Sequence, residues 1–139
     1  MKSGVDYIGI GAGAILRNER GQILLLHKSD AEDGVSPRWT IPGGEVLFGE
    51  RLEEAVEREV AEESCLQVKR KRLVDYFEFF NDGKHWISFI FLVEAFEGVP
   101  RIGEPLVFQD IGWFNQDMLP ELNSITRITI ARYFREIHV

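Results

Sequence analysis

A dense group of carboxylates is the part of this sequence that points most directly to chemistry. Between Gly43 and Leu66 the chain places eight glutamates against only two arginines. Three of them, Glu59, Glu62 and Glu63, have i, i+3 and i+4 spacing and share one face if the segment is helical. Like charges at this spacing destabilise a helix by roughly 0.2–0.5 kcal/mol per pair. A solvated acidic face is the ordinary explanation, but carboxylates concentrated where they repel each other indicate a bound cation.

The residue types in this group indicate which cation it would bind. Carboxylate oxygens suit Mg²⁺, with Mn²⁺ as a substitute, because these ions take a few carboxylates and keep positions for water and phosphate oxygens. The preceding Pro42-Gly43-Gly44 segment lets the backbone turn sharply and approach a bound group, since glycine has no side chain to exclude it. A carbonyl there is a candidate ligand, although the Pro-Gly-Gly sequence alone is better explained as a turn.

The glutamates need an element that holds them together, and the apolar spacing supplies one. Leu52, Ala55, Val56 and Val60 recur at helical intervals, which predicts a helix over Glu50–Glu63 with one buried stripe. The charged residues then fall on the remaining faces of this helix.

The rest of the chain predicts mainly strands. Two apolar runs around the turn RNERG predict one hairpin, and Asp82-Gly83 predicts a second. The tail, from Leu119 onward, has helical spacing at Ile125, Ile128, Ala131 and Phe134. We therefore expect one α+β domain over residues 1–139, with helices against a mixed sheet. The predicted strands are Tyr7–Leu16, Gln22–Lys28, Trp39–Pro42, Val68–Phe80, His85–Phe96 and Val107–Phe114.

Composition argues against several classes of partner. The net charge of −7 and the single short basic run, Lys69–Arg72, argue against stable nucleic-acid binding, which needs a basic stripe. No apolar run approaches membrane-spanning length, so we expect no membrane contact. The one cysteine, Cys65, forms no intramolecular disulfide, and a cytoplasmic location is the default expectation. Pairing into a homodimer is left open.

One glycine-rich stretch, GIGAGA over Gly9–Ala14, matches part of a dinucleotide-binding fingerprint. That fingerprint must end a strand and open a helix, whereas Ile15, Leu16 and a turn follow here. Glycines inside a strand more often mark the close approach of another backbone or of a ligand. We therefore interpret this stretch as a strand.

The combined spacing resembles a known family signature. From Gly44 the chain gives Gly, five residues, Glu50, seven residues and then REVAEESCL, Arg58–Leu66. This resembles the Nudix box G-x5-E-x7-R-E-U-x-E-E-x-G-U, in which U is a bulky aliphatic residue. Each fixed position matches except the last glycine, where this chain has Cys65. The flanking segments RWTIPG and DIGWFNQDMLP are also similar to the family.

The resemblance implies an α/β/α sandwich around a mixed sheet, and hydrolysis of a nucleoside diphosphate linked to another group. It implies that a divalent metal ion assists the attack of water on one phosphorus. Carried over residue by residue, it makes Glu59 and Glu63 the main metal ligands. Glu62 would be a neighbouring ligand, the Gly43 carbonyl a further one, and Arg58 would orient this set by pairing with Glu50.

The general base and the substrate contacts are less closely specified. Glu59, Glu63, Glu104 and Asp110 are all candidates for the base, and Glu59 is favoured because it lies inside the matched motif. Asp110 is equally well explained as a nucleotide or metal contact and as a turn residue. Substrate-binding candidates are Gly44, Arg38 and Asp110, with Lys28 and Arg38 either meeting phosphates or decorating a loop. The three histidines, His27, His85 and His138, lack ligand-like spacing.

A small nucleoside triphosphate pyrophosphohydrolase is the favoured function. The alternatives are a nucleotide-sugar or ADP-ribose pyrophosphatase and a non-catalytic module that senses nucleotides. Cys65 is expected to be structural, so Cys65→Ala should retain hydrolysis. At this position the chain either turns without a left-handed residue and buries the thiol, or accepts the left-handed strain.

Overall fold

A computed structural model of the protein describes residues 1–29 and 39–137. The predicted polar loop over 30–38, which includes Arg38, and the tail residue His138 lie outside the described residues. The elements in chain order are β1 Gly9–Leu16, β2 Ile23–Lys28, β3 Trp39–Thr40, β4 Gly43–Glu45, α1 Leu52–Ser64, β5 Gln67–Asn81, β6 Lys84–Glu97, β7 Phe108–Phe114, a 3₁₀ turn at Gln116–Met118, and α2 Ser124–Ile137.

The strands form two sheets. The larger sheet has the order β4-β1-β6-β5. Its β1 and β6 are parallel, while β1 with β4 and β5 with β6 are antiparallel. The expected mixed sheet is thus confirmed. A second sheet, β3-β2-β7, is antiparallel throughout, and the sequence did not predict this division.

The predicted hairpin of β1 and β2 is wrong. The two strands lie in different sheets, and only an isolated antiparallel bridge between Arg17 and Ile23 joins them. Both edges of β1 are taken by β4 and β6, and both edges of β2 by β3 and β7. The turn therefore carries the chain from one sheet to the other.

The larger sheet has a core on each face, because alternate residues of a strand point to opposite sides. On one face, Ala12, Ala14 and Leu16 of β1 belong to a buried cluster with the α1 residues Ala55, Val56 and Val60. On the other face, Ile15 belongs to a cluster that includes Ile130 and Tyr133 of α2. The predicted apolar stripe of α1 is therefore confirmed. In the ranges 1–29 and 39–137, no helix is long and apolar enough to cross a membrane.

Strand β4 covers Gly43 and Gly44, which the sequence predicted as part of a turn, because these residues pair with β1. The second hairpin and the tail agree with the sequence in type. The second predicted hairpin is present, with Phe80 opposite His85 and Asn81 opposite Lys84. Its turn residues Asp82 and Gly83 have positive φ angles of 50° and 72°, as a tight hairpin turn requires. The tail is a helix, α2, as predicted.

Helix α1 begins two residues later than predicted and ends at Ser64, where Cys65 forms the cap with φ 62° and ψ 19°. Cys65 thus adopts the left-handed conformation and its side chain is exposed. Of the two alternatives for this position, the strained one is present and the buried-thiol alternative is wrong. A side chain with a Cβ costs roughly 1–2 kcal/mol in this conformation.

We predict that Cys65→Gly stabilises the protein by up to about 1 kcal/mol, because the relief of left-handed strain exceeds the backbone entropy that glycine loses. Cys65→Ala, which keeps the Cβ and the strain, should lie within about 0.5 kcal/mol of wild type. Urea unfolding of the three proteins measures both differences. A glycine variant less stable than wild type would contradict this account.

Candidate active site

Helix α1 places its last glutamates at different depths. Val60 and Ser64 are buried, and Glu63 lies between them at 6% exposure. The side chain of Glu59, one turn earlier, is 13% exposed, whereas that of Glu62 is 46% exposed. The three glutamates therefore do not form one uniform acidic face. Glu59 and Glu63 point inward as a pair, and Glu62 lies at the solvent boundary.

Arg58 is the hub of the surrounding ion-pair network. Its guanidinium donates two hydrogen bonds to the Glu50 carboxylate, from Nε to Oε2 at 2.7 Å and from NH2 to Oε1 at 3.1 Å. NH1 donates to Glu59 Oε1 at 2.8 Å and to Glu62 Oε2 at 3.2 Å, and NH2 donates to the Glu45 carbonyl at 3.0 Å. Such fork-shaped pairs fix geometry as well as charge. Arg58 lowers the pKa of Glu50, which therefore stays ionised.

Glu63 is bound to the strand that precedes the helix. Its Oε1 accepts a hydrogen bond from the backbone amide of Gly43 at 2.8 Å. Burial nevertheless raises the pKa of Glu63 to about 8, and the nearby charges of Glu59 and Glu104 add to the rise. Burial likewise raises the pKa of Glu59, which the hydrogen bond from Arg58 partly offsets. Each carboxylate of the pair is thus held where its negative charge is unfavourable.

The two glycines of β4 make this close approach feasible. A Cβ on Gly44 would lie 2.5 Å from the carboxyl carbon of Glu59, and a Cβ on Gly43 would lie 2.5 Å from the carbonyl oxygen of Ala12. Gly44 was predicted to contact substrate, and the structure places it against Glu59. An extended residue projects its N–H and C=O to the same edge of a strand. Because the Gly43 amide faces Glu63, its carbonyl, the predicted metal ligand, lies on that side as well.

A third carboxylate approaches the pair from the loop before β7. The amide of Arg101 donates to the Ser64 carbonyl at 3.0 Å, and the amide of Gly103 donates to the Glu63 carbonyl at 2.9 Å. These bonds hold the loop across the end of α1. Glu104, the next residue, is near enough for its charge to raise the pKa of both Glu59 and Glu63. The sequence included Glu104 only among four candidates for the base.

A cavity of about 380 Å³ adjoins the acidic pair, since Gly43 and Gly44 are among its lining residues. This volume lies within the range of small-molecule sites, about 300–1,000 Å³. Apolar walls come from Phe79, Trp86, Ile90 and Ile125, and Lys28 and Ser88 are among its polar lining residues. A larger concavity of about 700 Å³ is lined by Arg17 and Trp113 among others, and none of its described lining residues is a predicted site residue.

Lys28 gains importance from its position at the end of β2. It lines the cavity, and its charge lowers the pKa of Glu63, opposing the effect of burial. The sequence slightly favoured a decorative role for Lys28 over a contact with phosphates. Lys28 comes near Glu63 because the end of β2 and strand β4 line the same cavity.

The other predicted residues are less central. Asp110 lies on β7 opposite His27, where its Oδ1 accepts a hydrogen bond from the amide of Ile111 at 2.8 Å. It is not among the described residues that line the cavity. Two histidines have local partners, His27 with Gln109 at 2.8 Å and His85 with Glu78 at 2.7 Å. Arg38 lies outside the described residues.

The donor set fits a hard divalent cation. Carboxylate oxygens and one backbone carbonyl are the ligand types that Mg²⁺ and Mn²⁺ take, and the pKa values of Glu59 and Glu63 are raised, first by burial and then by neighbouring carboxylates. Among the described residues, no three acidic, histidine or cysteine side chains form a complete set of ligands. Such a site suits an ion whose other positions are filled by water and phosphate oxygens.

Comparison with known proteins gives a consistent result. A model of the NUDIX domain family matches residues 8–133. The chain is 30% identical over 114 residues to an 8-oxo-dGTP diphosphatase of Escherichia coli K12, covering 81% of this chain and 88% of that protein. It is 34% identical over 116 residues to an NAD-capped RNA hydrolase of Pectobacterium carotovorum, covering 84% of this chain but only 43% of that longer protein.

Solved structures agree with the sequence relatives. A MutT NUDIX hydrolase from Burkholderia pseudomallei superposes with a TM-score of 0.82 at 34% identity, over 91% of this chain and 98% of that one. A MutT protein from Methanosarcina mazei gives a TM-score of 0.78 at 25% identity, over 93% and 94% of the two chains. The residues matched by the family model, 8–133, include both sheets and the segment that carries the acidic pair. The chain therefore belongs to the Nudix family and is a MutT-like pyrophosphohydrolase.

Proposed function

We propose that the protein hydrolyses nucleoside triphosphates to monophosphates and pyrophosphate, with Mg²⁺ or Mn²⁺ as cofactor. The observation that carries this proposal is the position of the buried Glu63 and the half-buried Glu59 beside a cavity with aromatic walls and one lysine. The acidic pair and Lys28 suit a metal-bound polyphosphate, and the aromatic end suits a base. The similarity to an 8-oxo-dGTP diphosphatase supports a triphosphate substrate.

Glu59 and Glu63 would hold the cation, with Glu62 and the Gly43 carbonyl as further ligands. When bound, the cation supplies charge neutralisation of the phosphates and a lowered pKa for attacking water. Arg58 keeps Glu59 oriented through its 2.8 Å bond to Oε1. Glu50 in turn fixes the guanidinium with two hydrogen bonds. Arg58 and Glu50 therefore act as positioning residues.

Glu59 is the proposed general base. Of the described residues, Arg58 bonds its carboxylate, through Oε1, which leaves Oε2 to face the cation or a water molecule. In the reaction the water oxygen bonds to phosphorus, the α–β anhydride bond breaks, pyrophosphate leaves, and the water proton passes to Glu59. Lys28, which lines the cavity, would neutralise charge on the leaving group. Arg38 and Asp110 stay predicted nucleotide contacts.

A substrate panel tests the proposal directly. The panel comprises the common nucleoside triphosphates, 8-oxo-dGTP, ADP-ribose, a nucleotide sugar and NAD-capped RNA, each with Mg²⁺ or Mn²⁺. We expect triphosphates to give a monophosphate and pyrophosphate in equal amounts. Release of orthophosphate and a diphosphate, or turnover of only the non-triphosphate substrates, would refute it.

We predict that Glu63→Gln lowers kcat by about 100-fold or more, because it removes a cation-binding charge while leaving an oxygen to accept the Gly43 amide. The variant should still fold to the native structure, since the side chain keeps its shape. Glu53→Gln is the matched control, because Glu53 is an exposed residue in the first turn of the same helix. Equal activity of wild type and Glu63→Gln would remove Glu63 from the proposed site.

We predict that the metal-free protein loses stability as pH rises from about 4.5 to about 8. The pKa of Glu63 is raised in the folded state, so the folded protein binds this proton more tightly than the unfolded chain. Its contribution to the unfolding free energy is fully present below about 4.5 and is lost as pH passes through about 8. Urea unfolding at several pH values in EDTA, with Glu63→Gln as reference, measures the effect.

The control for the pH experiment is the addition of metal. At pH 8, Mn²⁺ should stabilise wild type by roughly 2.7 kcal/mol at a hundredfold excess over Kd, and Glu63→Gln by much less. If the two metal-free proteins showed the same pH dependence of stability, Glu63 would not be the group whose raised pKa causes the loss.

A further inference from the structure

Trp86 lies at one end of the cavity, far from the end at which Gly43 adjoins the carboxylates. In the register of β1, Gly13 is opposite Gly43 of β4, whereas Gly9 is opposite Trp86 of β6. The two positions are four residues apart on one strand, or roughly 13 Å. Both Trp86 and Gly43 line the same cavity. A nucleotide with its phosphates at Gly43 would therefore extend its base toward Trp86.

The Trp86 indole occupies space that two glycines leave clear. A Cβ on Gly9 would lie 2.5–2.6 Å from three carbon atoms of the six-membered ring, Cε3, Cδ2 and Cζ3. A Cβ on Gly4 would lie 2.1 Å from the indole nitrogen, Nε1. The indole is thus in direct contact with the backbone of β1 on one side and of the N-terminal turn on another. Any side chain at Gly9 would force the ring to move.

The N-terminal turn is itself tied to the sheet beside Trp86. The Gly4 amide donates to the Tyr7 carbonyl at 2.7 Å, and the His85 amide donates to the Gly4 carbonyl at 2.7 Å. Gly4 has a φ of +78°, which side chains rarely adopt. The turn therefore has a defined conformation at the position where it contacts the indole.

We propose that Gly4 and Gly9 are positioning residues for substrate selection, holding the Trp86 indole against β1 as the wall that meets the nucleobase. The proposal rests on the proposed function and extends it to how the base is recognised. Stacking on a ring depends on the orientation of that ring, so a fixed indole favours bases with a large flat face. The GIGAGA stretch thereby acquires a role, since Gly9 provides the clearance, and Gly11 and Gly13 line the cavity.

The test is a set of kinetic variants in the full-length protein. Gly9→Ala should displace the indole into the cavity, raise KM for purine triphosphates about tenfold and leave kcat within about twofold. It should also lower the ratio of kcat/KM for purine triphosphates to kcat/KM for pyrimidine triphosphates. Gly112→Ala is the matched control, because Gly112 lies in β7 and a Cβ there would be 3.5 Å from Phe114, an ordinary contact.

A double-variant cycle links the effect to the indole. In a Trp86→Leu background, Gly9→Ala should cause no further change in KM, because the group that it displaces is absent. Equal effects of Gly9→Ala with and without Trp86 would overturn the proposal, as would an unchanged KM and selectivity in the single variant. If Gly9→Ala does not fold, Trp86→Phe and Trp86→Leu decide. We expect KM to rise more in Trp86→Leu than in Trp86→Phe. Equal KM values in both variants and in wild type would overturn the proposal.

A binding measurement separates this inference from the proposed function. Tryptophan fluorescence is titrated with α,β-methylene guanosine triphosphate in the presence of Mg²⁺, for wild type, Gly9→Ala and Trp86→Leu. Trp39 and Trp113 also fluoresce, so the readout is the difference between the proteins. An apparent Kd about tenfold higher in Gly9→Ala, and a clearly smaller quenching amplitude in Trp86→Leu, support the role of Trp86. Quenching of equal amplitude and affinity in wild type and Trp86→Leu overturns it. Failure of wild type to hydrolyse any triphosphate refutes the proposed function alone, because the titration still decides whether the indole meets the base.

Discussion

Two like charges kept from water are the constraint on which the rest of the site depends. Glu63 is nearly buried, Glu59 is close to it, and burial raises the pKa of each. Such a pair is unfavourable unless cations balance it. Among the described residues, Arg58 bonds Glu59, whereas Glu63 receives a backbone amide and the more distant charge of Lys28. A further cation, the role proposed above for Mg²⁺ or Mn²⁺, would relieve the repulsion that is left.

The elements that the sequence predicted correctly are those set by neighbours in the chain. Helix α1 follows from the spacing of Leu52, Ala55, Val56 and Val60, and the β5–β6 hairpin follows from Asp82-Gly83. The β1–β2 hairpin failed for the opposite reason. A glycine turn between apolar runs is equally compatible with pairing and with a change of sheet, and partners distant in sequence, β6 and β7, decide between them.

The site divides in the same way. The motif resemblance pointed to Arg58 and Glu50, and their contact is present because the seven residues between them, which begin helix α1, bring them together. It did not indicate that the Gly43 amide binds Glu63, nor that Lys28 and Glu104 act on the acidic pair. Those three residues come from β4, β2 and the loop before β7, so they are brought together only when the sheets assemble. Their spacing in the sequence therefore does not predict that they lie close to the acidic pair.

The end of α1 shows how the departure from the family motif is accommodated. Cys65 takes a left-handed conformation that glycine would adopt without strain. The carbonyls that a helix end leaves unpaired are bonded here by the amides of Arg101 and Gly103, from a different part of the chain. A Cβ on Gly103 would lie 2.0 Å from the Glu62 carbonyl oxygen, so this loop cannot approach without that glycine. The same bonds bring Glu104 beside the acidic pair. The loop that satisfies the helix end therefore also increases the negative charge at the site, and the need for a cation with it.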